Sequence, residues 1–280
     1  MKLRAALRSV VPTSLRARVR GSRVGEAVLR AVVRREQAKP HPQAPYTLHF
    51  DGHRNLGWAL GGLAKFESKY IAFTTQILSR LRPNAVWDVG ANIGFWSLYF
   101  AGFKPTITTI VAYEPDRTNI RLLRKNVEAN GLSQVEVREF ALSDRGGTAT
   151  FHADAVTGST GSLESGHDFI NEHYGRETKE VDVRLTTADA ELAAGVAAPQ
   201  FVKIDVEGHE LSLLQGAAKL LADVRPCMLL EVSGDSADDT FALLRAANYR
   251  IFDAANGQEL REPSFEIAAL PAEAADELLK

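Results

Sequence analysis

Carboxylates recur at one kind of place in this chain. Four short apolar runs end in an acid that is followed within three residues by Gly or Pro: Asp88 in "VWDVG", Glu114 in "VAYEP", Asp205 and Glu207 in "VKIDVEG", and Glu231 in "LLEVSG". Charges inside an apolar strand cost free energy unless they are paired or put to use. Their repetition at strand ends therefore points to a polar ligand held along that edge. The stretch "FVKIDVEGHE", residues 201–210, concentrates the pattern, with Lys203, Asp205, Glu207, His209 and Glu210 in ten residues. Alternation along a strand puts Lys203, Asp205 and Glu207 on one side. Lys203 is expected to neutralise a neighbouring acid, Asp88 or Glu231, and so offset part of the desolvation cost.

The loop "DVGANIG", residues 88–94, follows one of these runs and precedes a helical pattern. Its glycines are expected to let backbone approach a ligand at a helix N-terminus. Glu114 comes twenty residues after Gly94, where an acid ending the next strand can accept hydrogen bonds from both hydroxyls of a ribose. A nucleoside-containing cofactor fits this pair of features. A nicotinamide dinucleotide calls for G-x-G-x-x-G, whose glycines make room for a pyrophosphate. Here the spacing is D-x-G-x-N-x-G, and Asp88 stands where a diphosphate would be repelled. An acid there suits a cofactor with positive charge near the loop, such as the ammonium and sulfonium of S-adenosylmethionine.

The elements that must position these residues alternate. "FESKYIAFTTQILSRL", "FWSLYFAGF", "DRTNIRLLRKNVEANG", "ELSLLQGAAKLLADV" and "ADDTFALLRAAN" carry helical periodicity. Between them "AVWDVG", "TITTIVAYEP", "VEVREFALSD", "QFVKIDVEG" and "CMLLEVSG" read as strands, and "YRIFDA" and "FEIAAL" follow as two late strands. Strands interleaved with helices predict an α/β, doubly wound, mostly parallel sheet with helices on both faces. Such sheets bind ligands outside the carboxyl ends of their strands, the edge at which the acids gather.

Composition narrows the class. The chain has 280 residues, 45 % hydrophobic, enough for one sizeable core. Its single cysteine, Cys227, lies in an apolar stretch and excludes an internal disulfide or a cysteine-rich metal cluster, which makes a reducing cytoplasm the expected compartment. Residues 1–40 carry eleven Lys and Arg against two Glu, +9 locally; with a net charge of −2, the other 240 residues sum to −11. So acidic a body makes a poor grip on nucleic-acid phosphates. The basic leader has apolar residues at three- and four-residue spacing, and reads as a solvated arm, a membrane-surface or partner-binding helix, or a transit peptide. "AKPHPQAP" reads as a linker, so residues 1–45 are expected to be leader and linker and residues 46–280 the main domain. Residues 151–185, rich in Gly, Ser and charge, form an insertion expected to act as a substrate lid.

With these residues in view the chain resembles the FkbM family of class I S-adenosylmethionine-dependent methyltransferases. The resemblance is carried by "WDVGANIGFWSLYFA", "YEPDRTNIRLLRKNVEANGL", "FALSDRGG", "TTADAEL" and "FVKIDVEGHELSLLQGA", and covers about residues 66–232. Ala188 departs from the family's usual leucine, and the basic leader lies outside the family domain. The resemblance implies a seven-stranded Rossmann-like sheet with an antiparallel finish and S-adenosylmethionine as cofactor. It places the methionine moiety on Asp88, Gly90, Asn92 and Gly94, the ribose on Glu114 and the adenine near Leu142, Ser143 and Asp144. For Asp144 the alternative is a turn residue before Arg145. It further implies O-methylation of a hydroxyl on a small natural product, a sugar or a glycan. N-methylation of a protein or small amine, and a non-catalytic cofactor-binding module, are the alternatives.

Methyl transfer needs an aligned acceptor and a base for its proton. Asp205 is the first candidate for that work, with Glu207 and His209 behind it. A D-x-E-x-H cluster also invites a divalent metal, but spacing alone identifies no further ligand, so a metal-free site is favoured.

Overall fold

The computed structural model describes residues 31, 33–153, 161, 163, 179–232 and 236–280. The basic leader up to residue 30 and most of the insertion, including His167, His173 and Tyr174, lie outside the described residues.

The strand signals assemble into one seven-stranded sheet. It contains β3 (Ala85–Val89), β4 (Thr109–Tyr113), β5 (Val135–Arg138), β9 (Phe201–Ile204), β10 (Cys227–Glu231), β11 (Tyr249–Asp253) and β12 (Glu266–Pro271), in the order β11-β12-β10-β9-β3-β4-β5. β5, β4, β3, β9 and β10 are mutually parallel; β12 runs antiparallel to both β10 and β11. As expected from the sequence, the "FVKIDVEG" strand lies between "VWDVG" and "MLLEV". Strand order reverses between β3 and β9, which creates the crevice where such sheets take ligands.

Helices cover both faces. On one, α2 (Ser68–Leu81) buries Ile71, Phe73, Ile77 and Leu78. It shares a core with α3 (Phe95–Ala101), α4 (Arg117–Ala129), α8 (Ala272–Leu279) and sheet residues Val86, Phe201, Leu229 and Ala268. On the other face, α5 (Ala188–Ala193), α6 (Glu210–Gln215) and α7 (Ala237–Ala246) pack over Trp87, Val111, Val202, Met228 and Ile267. Both ends of α4 match its sequence. Asp116 caps it by accepting from Thr118 N at 2.6 Å, a cap worth about 1 kcal/mol. Beyond the other end Gly131 adopts φ +63, which glycine tolerates without strain.

Three expectations need correction. "AKPHPQAP" is not a free linker: β1 (Glu36–Pro40) pairs antiparallel with β2 (Thr47–Asp51). His41, at the turn, is buried with Nε2 3.1 Å from Phe95 O, and burial holds its pKa down to about 4. Asn126 of α4 and Asn130, the capping residue just beyond it, bond the backbone of His49 and Thr47 respectively, each in both directions. The prolines here shape a hairpin because side chains from the domain satisfy its backbone. Secondly, "VEVREFALSD" is two strands. β5 joins the main sheet, whereas β6 (Ala141–Leu142) enters a three-stranded sheet with β7 (Gly147–Ala153) and β8 (Lys179–Thr186) in the order β6-β8-β7. The two ends of the insertion are thus the paired strands β7 and β8. Thirdly, "ELSLLQGAAKLLADV" is broken at Gly216 into α6 and a π-helical turn, Leu220–Val224. A Cβ at Gly216 would lie 2.0 Å from Ser143 O; the chain bends where it must pass that strand.

Gly90 gives a test of how the crevice is built. Its φ is +77 and a Cβ there would sit 1.8 Å from Asp205 O, whereas Gly131 has a similar φ with open space around it. Gly131→Ala is expected to cost about 1 kcal/mol from backbone strain alone, and Gly90→Ala at least about 2 kcal/mol more, because backbone must move. Chemical denaturation of both variants reads the difference; equal costs would show that the Gly90–Asp205 contact does not constrain the fold.

Candidate functional site

Register places the charged residues on one face of the sheet. Lys203 lies opposite Asp88 on β3 and Leu229 on β10, and alternation then puts Asp205 and Glu231 on the same side. Glu266 is directly across from Glu231 in the antiparallel β10–β12 pair, so it shares that face too.

Lys203 is 1 % exposed, and its Nζ forms an ion pair at 3.3 Å with Asp205 Oδ2. The partner is thus Asp205, not Asp88 or Glu231 as the sequence led one to expect. The ammonium also lies 5.8 Å from the centre of the Trp96 ring. Burial opposes its charge, yet the attraction of Asp205, Glu266, Glu231 and Glu67 raises its pKa above the ordinary lysine value. The acids around it feel the converse. Burial pushes Glu266 up to about 8 and raises Glu231, which the negative charge of Asp205 raises further.

Asp88, 1 % exposed, is a floor beneath the loop. It accepts from Ser97 Oγ at 2.5 Å, and burial raises its pKa to about 6. The glycines beside it serve the protein's own packing. Gly90 lets the loop meet the Asp205 carbonyl, and Gly94, at φ +90, makes room for Leu123. Asn92 adopts φ +52, a conformation asparagine accepts more readily than most residues, and its N–H donates to Glu114 Oε2 at 2.7 Å. Glu114 also accepts from Asp116 N at 2.9 Å; burial raises its pKa to about 7 against the pull of these donors.

Above this floor lies an open cleft. Of the residues singled out from sequence, Gly90, Asn92, Glu114, Leu142, Asp205, Glu207 and His209 line it. Asp88, Gly94, Ser143 and Asp144 are not among the lining residues. Ser143 Oγ donates to Asp144 Oδ1 at 2.9 Å and meets His209 Nε2 at 2.9 Å, while Asp144 pairs with Arg145 at 3.1 Å as a turn residue would. His209 is therefore turned toward Ser143, on the β6 side of the cleft. Glu207 takes φ +50, which costs a non-glycine residue about 1–3 kcal/mol and so marks a constrained position. Glu210 accepts from Gly208 N at 2.9 Å and ties the strand end to α6.

The cleft also has walls that the sequence did not announce: Tyr113, Phe140, Phe151 and Leu163 on the apolar side, Asp116 and Asn119 on the polar side. Asp116 carried a local signal that could have found it, its place just before the helical run of α4. Phe151 carried none, because it reaches the cleft only through the β7–β8 ribbon. Among the described residues no Lys or Arg lines the cleft, while Glu114, Asp116, Asp205 and Glu207 do. That lining repels phosphates and favours a ligand that is cationic or rich in hydroxyl donors.

The methyltransferase FkbM domain model matches residues 88–251. The 31-O-demethyl-FK506 methyltransferase FkbM of Streptomyces tacrolimicus is 33 % identical over 199 residues, 61 % of this chain and 75 % of that protein. The hexuronic acid methyltransferase AglP of Haloferax volcanii is 26 % identical over 165 residues, 59 % of this chain and 62 % of that protein. The chain spans less than two thirds of the length of several relatives it matches. A crystal structure of methyltransferase FkbM from Methylobacillus flagellatus KT aligns with a TM-score of 0.44 at 19 % identity, over 67 % of this chain and 44 % of the other. With a family match that extends from the loop acid Asp88 through β3, β9 and β10 to Ile251, this chain belongs to the FkbM methyltransferase domain family.

Proposed function

We propose that this chain is an S-adenosylmethionine-dependent methyltransferase that O-methylates a hydroxyl of a small natural product, a sugar or a glycan. The observation that carries the proposal is the cleft at the strand-order switch, lined by four acids and, among the described residues, by no basic side chain. The phosphates of a dinucleotide or other phosphorylated cofactor meet no basic side chain there among the described residues, whereas a sulfonium and an ammonium meet acids. Membership of the family supports the reaction class. The acceptor class is supported by relatives named for a hexuronic acid and for 31-O-demethyl-FK506.

S-adenosylmethionine supplies the activated methyl group. Glu114 is assigned to the ribose hydroxyls, with Asn92 N–H fixing one of its oxygens at 2.7 Å. The backbone of residues 90–92 is assigned to the methionine moiety. Asp88 would act from below through the buried charge it presents. Leu142 with Phe140 and Phe151 forms the apolar wall suited to a purine. Asp205 would orient the acceptor hydroxyl or take its proton, and Lys203 holds that carboxylate in place at 3.3 Å. Glu207 lines the same mouth and is assigned to acceptor binding.

Two measurements test this reading. Calorimetric titration of S-adenosylhomocysteine is expected to show binding, while NAD shows none. A ribose donates to ionised Glu114, whose pKa is raised to about 7. Affinity should therefore be greatest above that pH and fall as pH drops through it, by up to about tenfold per unit. Glu114→Gln should weaken binding about tenfold or more and remove that dependence; an unchanged profile refutes the ribose assignment. Secondly, Asp205→Asn should lower kcat by about 10²–10⁴ with S-adenosylhomocysteine affinity unchanged within a few-fold. The assay is transfer of isotopically labelled methyl into cell extract, read by mass spectrometry. Full activity in that variant would remove Asp205 from the reaction.

A further inference from the structure

The acids around Lys203 exceed what the cofactor assignment uses. Asp205, Glu207 and Glu231 each bring one carboxylate oxygen to within 4.8 Å of the others. Glu231 is not among the residues that line the cofactor cleft. A second feature stands behind this triad. Glu266 is only 4 % exposed, faces the same side of the sheet as Glu231 in direct cross-strand register, and lies close enough to Asp205 and Lys203 to feel their charges. Among the described residues its Oε1 has no hydrogen-bond partner. A buried carboxylate oxygen left unsatisfied is costly, and here it belongs to the residue directly across from Glu231, one of the three gathered acids. Lys203 is a single positive charge, and its ion pair is with Asp205.

We propose that Asp205, Glu207 and Glu231 bind a divalent cation, with Glu266 as the buried carboxylate that backs the site. An all-oxygen donor set selects hard cations of the Mg²⁺, Mn²⁺ and Ca²⁺ kind and not zinc or copper. His209, the nitrogen ligand that the D-x-E-x-H spacing suggested, is engaged with Ser143 and is not part of the triad. The ligand missing from that spacing comes instead from the neighbouring strand, through Glu231. Asp205 and Glu207 line both the cleft and the triad, so the ion lies on the acceptor side of the cleft, where hydroxyl oxygens of the acceptor can complete its shell. This role rests on the methyltransferase reading; the binding itself does not.

The test titrates chelator-treated full-length protein with Mn²⁺ and follows free aquo-Mn²⁺ by electron paramagnetic resonance. One saturable site per chain is expected, with a dissociation constant on the order of 10⁻⁶–10⁻⁴ M, displaced by excess Mg²⁺ or Ca²⁺. Glu231→Gln should weaken Mn²⁺ binding at least tenfold while S-adenosylhomocysteine affinity stays within a few-fold of the parent. If that variant fails to fold, Glu231→Asp, which keeps the charge but draws the carboxylate back from the other two acids, provides the same comparison. Absence of a saturable site up to about 1 mM Mn²⁺, or unchanged affinity in a folded variant, overturns the proposal. S-adenosylhomocysteine binding measured in chelator on the same samples separates the two ideas. Its loss refutes the cofactor assignment, and its presence without Mn²⁺ binding refutes the metal site alone.

Discussion

The buried ion pair between Lys203 and Asp205 is the interaction on which the rest of this architecture depends. A sheet that collects Asp88, Glu231 and Glu266 on one face would pay a desolvation cost it cannot recover from packing alone. One ammonium in the middle of the group lowers that cost for every acid around it, and the aromatic face of Trp96 lies beside it. The compensation is incomplete, and burial leaves Glu231 and Glu266 with raised pKa values. A cationic ligand would offset what remains of this cost, which links the acid lining of the cleft to the acid triad beside it.

Geometry makes the pair useful because the two halves of the crevice are locked to each other. Gly90, on the loop after β3, abuts the Asp205 carbonyl, and Asp205 N donates back to Val89 O at 3.0 Å. The loop after β3 and the Asp205 carboxylate, the proposed cofactor and acceptor contacts, therefore belong to one junction. Gly216 makes a second such contact with Ser143 and ties α6 to β6, which fixes His209 against the Ser143 hydroxyl. The glycines that first look like ligand clearance work as clearance between strands, and the ligand site is their consequence. This is the physical economy of an open α/β sheet: loops at the switch point are shaped by neighbouring strand ends, so cofactor and acceptor positions are not independent.

The peripheral elements obey the same logic with less consequence for the site. The β1–β2 hairpin docks through Asn126 and Asn130 against α4, and a proline-rich stretch becomes ordered backbone because its polar groups are satisfied. Phe151 enters the cleft wall through the small β6-β8-β7 sheet. Among the described residues no helix is long and apolar enough to cross a membrane.

Much of this was legible from local pattern. Periodicity showed alternating helices and strands, and three of the acids picked out at strand ends, Glu114, Asp205 and Glu207, do line one cleft. Each of these signals is set by neighbouring residues, so a linear reading can find it. Partners across strands were beyond such a reading. Lys203 found Asp205 and not Asp88 or Glu231, because the side chain's reach along its own strand end outweighed cross-strand register. Glu266 was missed because β12 runs antiparallel, which brings the beginning of that strand, and not its end, to the ligand edge. The sequence by itself determined which residues carry charge and which element each belongs to. Only tertiary structure decided which charges share a face, because strand direction and register arise from contacts between segments far apart in the chain.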